Sequence, residues 1–569
     1  MRSSGRWIAE PRRVTTRYDR PWRRPGAAAY ARHRIRAFLR PPVTVVPAPA
    51  DLIKDHDVPV RMRDGVTLRA NVYRPEGDGP FPVIMCVHPY GKDALPRRTP
   101  RGWRLSFQFR IMHQSEAFRI SSETGWEAPD PVAWVGRGYV VINADARGAG
   151  TSGGVGSLLS DGEARDVYDL VEWAGTQPWS NGRVGMLGVS YLAISQYKAA
   201  ALRPPHLAAI CPWEGFTDAY RDFMTPGGVP ERGFSLIWQT LTRRVARLSV
   251  DLGAERRRHP LRDAWWATIT PDLARIEVPI LVCASFSDHN LHSRGSWRLV
   301  ERAGSAELAT YAHRGPKWAT FYSQDAQRSQ SAFFDRHLRG SDVPALPRVR
   351  LEVRERRGTV VEVRAEEEWP LARTDWTALH LADGGALRTT PPAAGGVARF
   401  RLRHQAVSFS YRFDRDTEVT GPMVLRLRLS LEDADDAHLF VGVEQWRGGA
   451  YVPYEGSYGY GRDRIADGRL RLALRDPGPS ADPHEPEPPL DVLRPVRPGE
   501  TVDAAIALSA SSTRFRAGDD LRLLIAGRSL EPLNPLFGHF PARYARSRRG
   551  TAVVGWGPEA STLTIPVIP

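Results

Sequence analysis

Cysteine is nearly absent from this chain of 569 residues; only Cys86, Cys211 and Cys283 occur. Each stands in a short apolar run, which predicts buried free thiols and excludes a disulfide framework. No Cys-x-x-Cys pair and no His-Glu-x-x-His segment is present, so neither a metal site nor a bound cofactor is expected. No stretch reaches the ~18 apolar residues that a membrane helix needs. The arginine-rich start carries no apolar core beyond Ala27 to Tyr30, so a secretion signal is not expected either. These absences predict a cytoplasmic protein without a membrane span.

Lysine is scarce as well. Four lysines stand against 75 arginines, a bias that reads as codon usage and not as a selected phosphate-binding surface. The net charge of +15 is concentrated at the start: residues 1 to 40 hold twelve arginines against Glu10 and Asp19. Residues 1–45 are read as a basic extension, a form suited to contact with an acidic surface. No domain-level basic stripe or nucleic-acid motif follows, so no specific nucleic-acid partner is expected.

What the chain does have is length and apolar content for several domains. Short Val- and Ile-rich runs at Pro82 to Val87, Tyr139 to Asn143, Val184 to Leu187, Ala208 to Cys211, Ile280 to Cys283 and Leu308 to Ala312 read as strands buried on both faces of a parallel sheet. Val58 to Tyr73 reads as a hairpin turning at Asp64-Gly65. Helical stretches, such as Gly162 to Thr176 and Gly295 to Ala303, separate most of the runs. The predicted fold class is α/β. Its core occupies residues 46–215 and 271–345, and residues 216–270 are inserted as a helical cap with helix-like content at Phe234 to Val250 and Leu261 to Ala267. From about residue 346 the helical period vanishes. Alternating runs such as Val349 to Arg354 and Val424 to Leu429 predict an all-β, jelly-roll type sandwich over 346–569.

The chemistry is concentrated at Arg183-Val-Gly-Met-Leu-Gly-Val-Ser190-Tyr-Leu-Ala193. A strand runs into a tight turn with serine at its tip, and a helix follows. That arrangement lifts a nucleophilic hydroxyl clear of a sheet. Gly188 gives the turn room. Other serines fit the short pattern: Ser152 in full, and Ser235, Ser480 and Ser529 in its first half. None has both strand before and helix after, so Ser190 is the expected nucleophile.

Such sheets carry serine, acid and histidine in that order. Asp288 follows the Ile280 run and His313 follows the Leu308 run, so these two complete the expected set. His313 is the expected base and Asp288 the group that fixes its tautomer. His289 and His292 are rival bases, set aside because they lie too near Asp288 to come from a separate strand end. The amide of Tyr191 and the hydroxyl of Tyr90 are candidate oxyanion donors, and Tyr90 equally suits a packed position at the sheet edge. Trp213, Phe216, Phe286 and Trp318 lie near strand ends and are candidates for lining a pocket, as they equally are for the core. Glu214 is a candidate anchor for a substrate amine.

Gly188-Val-Ser190-Tyr191, His88-Pro-Tyr90-Gly-Lys92, Asp145-Ala-Arg-Gly-Ala-Gly-Thr-Ser-Gly153 and Gln177-Pro-Trp-Ser-Asn-Gly182 resemble the CocE/NonD hydrolase family. Phe333 to Gly340, Glu418 to Pro422 and Ser512 to Leu523 extend that resemblance to the end of the chain. It implies an α/β-hydrolase core with a helical cap and a carboxy-terminal jelly roll. It also implies a nucleophile at Ser190, acid at Asp288, base at His313 and oxyanion donors at Tyr90 and Tyr191. The chain departs from the family pattern at Ala193, where glycine is usual, and at His313-Arg-Gly-Pro-Lys-Trp318, where many members carry Gly-Pro-Trp-x-His. The expected reaction is hydrolysis of a small carboxylic ester through an acyl-serine. Dipeptidyl-peptidase or amide and β-lactam acylase activity is the alternative, and a scaffold or sugar-binding jelly-roll protein is the non-enzymatic one. A jelly roll also offers contacts between copies, and the sequence leaves oligomeric state open.

Overall fold

The computed structural model describes residues 27–112, 114, 116–456, 463–476, 478, 482–531 and 541–569. Most of the basic extension and Ser480 lie outside the described residues.

The apolar runs form a central sheet. Its strands are β1 (Ile53–Arg61), β2 (Thr67–Arg74), β3 (Phe81–His88), β4 (Val140–Asp145), β5 (Ser180–Val189), β6 (Leu207–Trp213), β7 (Ile280–Ser285) and β8 (Leu308–His313). The pairings give the order β1-β2-β4-β3-β5-β6-β7-β8. From β4 onward every pair is parallel. Strands β4, β7 and β8 are buried at every residue, as strands covered on both faces must be. The β1–β2 turn falls at the expected Asp64-Gly65, where Gly65 has φ +85 and its amide donates to the Met62 carbonyl.

Helix Asp161–Gly175 carries acids in its first turn and a capping serine, Ser160, whose hydroxyl accepts from the Glu163 amide. Helix Tyr191–Ala201 is buried almost throughout, between sheet and neighbours. The inserted segment contains helices Phe234–Thr242, Leu252–Arg258 and Ala264–Thr268. The first is shorter than the sequence suggests. After Arg243 the chain turns extended and bridges back to the core through Ala246 to Ala149 and Leu248 to Gly156.

Strand β9 (Val349–Arg356) extends the sheet in parallel beside β8 and pairs with the antiparallel β10 (Thr359–Glu366). Beyond it the regular structure is mainly antiparallel strand. Thr417–Glu432 pairs with Thr501–Phe515 and Thr562–Ile568, while Asp520–Ala526 lies between Ala406–Arg412 and His438–Arg447. The inward residues of both groups, such as Leu425, Ile506, Val441 and Leu523, join the same apolar cluster. Among the described residues no helix is long and apolar enough to cross a membrane.

Candidate active site

Ser190 sits at the tip of the turn between β5 and helix Tyr191–Ala201, with φ +58 and ψ −115. Left-handed backbone at a residue with a Cβ is strained, and such strain persists only where the surroundings enforce it. Here the Ser190 amide donates to the Trp213 carbonyl and the Val189 amide to the Glu127 carbonyl. Gly188 is required by contact: a Cβ there would stand 2.4 Å from that of Leu192. Ala193, the departure from the glycine usual in the family, is accommodated by Gly215, whose missing Cβ would lie 3.1 Å from the Ala193 methyl.

The base at Ser190 is where sequence reasoning and structure part. Ser190 Oγ lies 3.3 Å from His292 Nε2, and His292 Nδ1 lies 2.5 Å from Asp288 Oδ2. His313 faces elsewhere. Its Nδ1 accepts from the Gly315 amide, and its Nε2 is 3.2 Å from Glu214 Oε1. The reason is local. The chain after β7 coils tightly, with the amides of Leu291, His292 and Ser293 all donating to the Asp288 carbonyl. Asp288 and His292, four residues apart, thereby present their side chains together. A separate strand end is not needed.

The place that the loop after β8 was expected to fill with an imidazole is taken by an ammonium. Lys317 Nζ is 2.7 Å from Asp288 Oδ2, 2.7 Å from His292 Nδ1 and 3.5 Å from Glu214 Oε2. Burial alone would raise the Asp288 carboxyl, but Lys317 and His292 outweigh it and hold Asp288 well below the usual carboxylate range. Burial and the Lys317 charge together lower the His292 pKa, against the pull of Asp288. Glu214, with φ +53, accepts from the Ser285 hydroxyl and faces both Lys317 and His313. It is fully buried and so engaged that it is no anchor for a substrate amine. Glu214, Cys283 and His313 bring potential ligand atoms within 4.8 Å of one another. The cationic Lys317 beside them, and a Cys283 thiol whose pKa burial pushes far up, make this a poor cradle for a cation.

A second carboxyl, Glu127, was not foreseen. It has φ +66, is buried, and lies beside Ser190, Trp318 and Tyr90. Burial pushes its pKa up to about 8 in spite of Lys317 and these neighbours. Tyr90 lies on the same side of the site. Its hydroxyl accepts from the Trp238 indole N–H at 3.0 Å, and its ring meets that of Tyr191 edge-on at 6.5 Å. The loop bearing Tyr90 is tied to β4, since the Asp145 carboxylate accepts from the Lys92 and Thr151 amides at 2.5 and 3.1 Å. The Tyr191 hydroxyl is committed to Glu163 at 2.8 Å. Its amide lies in the first helical turn, which has no intrahelical acceptor.

Of the four candidate pocket aromatics, two lie at the site. Phe216 stacks on the His292 ring at 6.2 Å and 9°, and Trp318 packs on Trp126 beside Glu127. The other two are core residues. Trp213 packs on Tyr311 and Phe321, and Phe286 on Trp297 and Trp369. Trp238 and Phe223 from the inserted segment complete an aromatic wall with Phe216 and Tyr191.

The rival serines are engaged otherwise. Ser152 Oγ donates to the Asp145 carbonyl and accepts from the Arg69 amide, and Ser235 Oγ donates to the Glu231 carbonyl. The carboxy-terminal unit braces the loop that carries Asp288 and His292. Tyr544 donates to Asn290 Oδ1 at 3.0 Å, and His289 Nε2 lies 3.2 Å from Asp463. The buried Arg314 donates to the Ile465 carbonyl.

Residues 64–316 match the family model for X-Pro dipeptidyl-peptidases of the S15 family, and residues 341–551 that of the X-Pro dipeptidyl-peptidase C-terminal non-catalytic domain. Cocaine esterase of Rhodococcus sp. (strain MB1 Bresler) is 29% identical over 417 residues, covering 63% of this chain and 67% of the esterase. The crystal structure of a CocE/NonD family hydrolase from Staphylococcus aureus superposes with a TM-score of 0.85 at 34% identity, over 91% of this chain and 94% of that one. An aminopeptidase from a Thaumarchaeota archaeon of marine sediment shares the fold at 17% identity, with a TM-score of 0.69 over 91% of this chain and 97% of the other.

Proposed function

Because the chain belongs to the CocE/NonD family of serine hydrolases, we propose that it cleaves a carboxylic ester through an acyl-serine on Ser190, with His292 as base and Asp288 as its orienting partner. The unbroken line from Ser190 Oγ through the His292 ring to Asp288 carries this reading. His292 Nε2 takes the hydroxyl proton as Ser190 attacks the ester carbonyl, then returns it to the leaving alkoxide. Water repeats the sequence on the acyl-enzyme and frees the acid. Asp288 holds the Nδ1 proton and stabilises the imidazolium.

The tetrahedral oxyanion is assigned to the Tyr191 amide and the Tyr90 hydroxyl. Loss of one such donor costs ~10²–10³ in rate. Tyr90→Phe is therefore expected to lower kcat by about two orders of magnitude with little change in KM. Equal losses in kcat and in affinity would instead make Tyr90 a packing residue.

Ester chemistry is favoured over amine-directed peptidase chemistry because the acids around the site are held by cations of the protein or, at Glu127, have a pKa that burial pushes up to about 8. Glu214 is held by Lys317, and Asp222 by Arg298. The aromatic wall of Phe216, Phe223 and Trp238 suits an apolar or aromatic acyl group. The test is a side-by-side measurement of kcat/KM on p-nitrophenyl esters and on glycyl-prolyl p-nitroanilide. Higher kcat/KM on the esters is the expected result, and faster cleavage of the anilide would replace this reading with the peptidase one.

A further inference from the structure

This chain has only four lysines, and one of them, Lys317, is wholly buried between Asp288, Glu214 and His292. Burial pulls an ammonium pKa down, yet Asp288 and Glu214 outweigh it and keep Lys317 charged. Its Nζ and Asp288 Oδ2 both reach His292 Nδ1, at 2.7 and 2.5 Å. One ring nitrogen cannot serve both in the same way. An Nδ1–H donates to Asp288 and leaves Nε2 bare toward Ser190; a bare Nδ1 accepts from Lys317 and puts the proton on Nε2.

We propose that Lys317 is a positioning residue for the base. Its fixed positive charge keeps the resting His292 neutral and brings the buried charges to balance when the imidazolium forms. The inference rests on the assignment of Ser190 and His292 above. With a neutral imidazole, Asp288, Glu214 and Lys317 leave one net negative charge in the site. Once the Ser190 proton has moved to Nε2, the imidazolium cancels that charge among these four groups, and the matching negative charge sits on the tetrahedral oxyanion. Without Lys317 the resting site would hold two uncompensated carboxylates, which would draw His292 towards its protonated, inactive form. Lys317 itself neither gains nor loses a proton in the cycle.

The other groups around the pair do not supply this charge. Phe216 covers the His292 ring with an uncharged face, and Tyr544, which donates to Asn290 in the same loop, is a neutral phenol. Glu127 faces Lys317, but burial keeps it largely protonated at neutral pH. Arg314, next in chain to His313, points to the carbonyls of the 464–465 segment.

The sign follows from the charge. A neighbouring cation disfavours imidazolium, so the acid limb of kcat/KM stands at lower pH than in an enzyme lacking it. The experiment is the pH profile of p-nitrophenyl butyrate hydrolysis by the wild type and by Lys317→Met. The wild-type limb is expected below 6.5. In Lys317→Met it should rise by about one pH unit or more, as for loss of a neighbouring charge. The variant would then lose about tenfold more activity at pH 5.5 than at pH 8. A variant that folds and is labelled at Ser190, but keeps the wild-type limb, overturns the proposal; so does a loss of kcat uniform across pH. If Lys317→Met does not fold, the wild type decides alone, because a limb at or above 6.5 is incompatible with the role. Failure of Ser190 labelling in the wild type would sink the functional assignment instead, and is read before any variant is made.

Discussion

Ser190→Ala is expected to abolish labelling by a fluorophosphonate probe and to cut kcat on p-nitrophenyl esters by roughly 10⁵–10⁶-fold, the scale on which nucleophile loss acts in serine hydrolases. Ser152→Ala, made in parallel, should leave labelling intact. Ser152 alone completes the short serine-elbow pattern, but Ser190 alone has a strand before it and a helix after it. The Ser152 hydroxyl ties the Asp145 carbonyl to the Arg69 amide, holding the C-terminal end of β4 against β2. Its loss strands two backbone groups at a cost of about 1–3 kcal/mol. That variant should thus melt earlier while still taking the probe. Labelling that survives Ser190→Ala and vanishes with Ser152→Ala would reverse the assignment.

The parts of this molecule that sequence could disclose are those governed by local rules. Apolar runs with flanking turns marked the parallel strands β3 to β8, because strands buried on both faces leave a continuous signature, whereas the alternating β9 was read into the sandwich. The elbow at Ser190 was legible for the same reason: its strand, Gly188 and helix are consecutive. Apart from the choice of histidine, which a local coil decides, the errors lie where a distant partner decides. Helix Phe234–Thr242 was expected to continue to Val250, but pairing with Ala149 and Gly156 draws residues 246–248 into extended chain. Helix Leu252–Arg258 was not foreseen, since Leu252 is its one buried residue and no apolar stripe announces it. Glu127 comes from a long insertion after β3. Nothing in its neighbours states that its carbonyl will receive the Val189 amide and bring its carboxyl to Ser190. Lys317 was visible only as an anomaly, one of four lysines in the loop where the family pattern places other residues.

The exchange of histidines gives the sharpest discrimination. His292→Ala is expected to lower kcat by about 10⁵–10⁶-fold, as loss of the base does in enzymes of this type. His313→Ala should keep kcat within about tenfold of wild type and lose about 1–3 kcal/mol of stability, because it unmakes a buried polar contact. The assignment of His313 rested on chain order: one residue after each of three strands, as sheets of this kind present them. The geometry keeps Ser190 and Asp288 just beyond strand ends, as that order has them, and puts His292 instead of His313 beside Ser190. A coil of five residues after β7 brings acid and base to the site from a single strand end. His313 then remains beneath, with Nε2 toward Glu214 and Nδ1 occupied by the Gly315 amide, so neither nitrogen addresses Ser190. Both variants should be measured between pH 6 and 9 with thermal melting as the check on folding. A collapse with His313→Ala alone, in protein that melts like the wild type, would restore the order read from the sequence and make the His292 contact with Ser190 incidental.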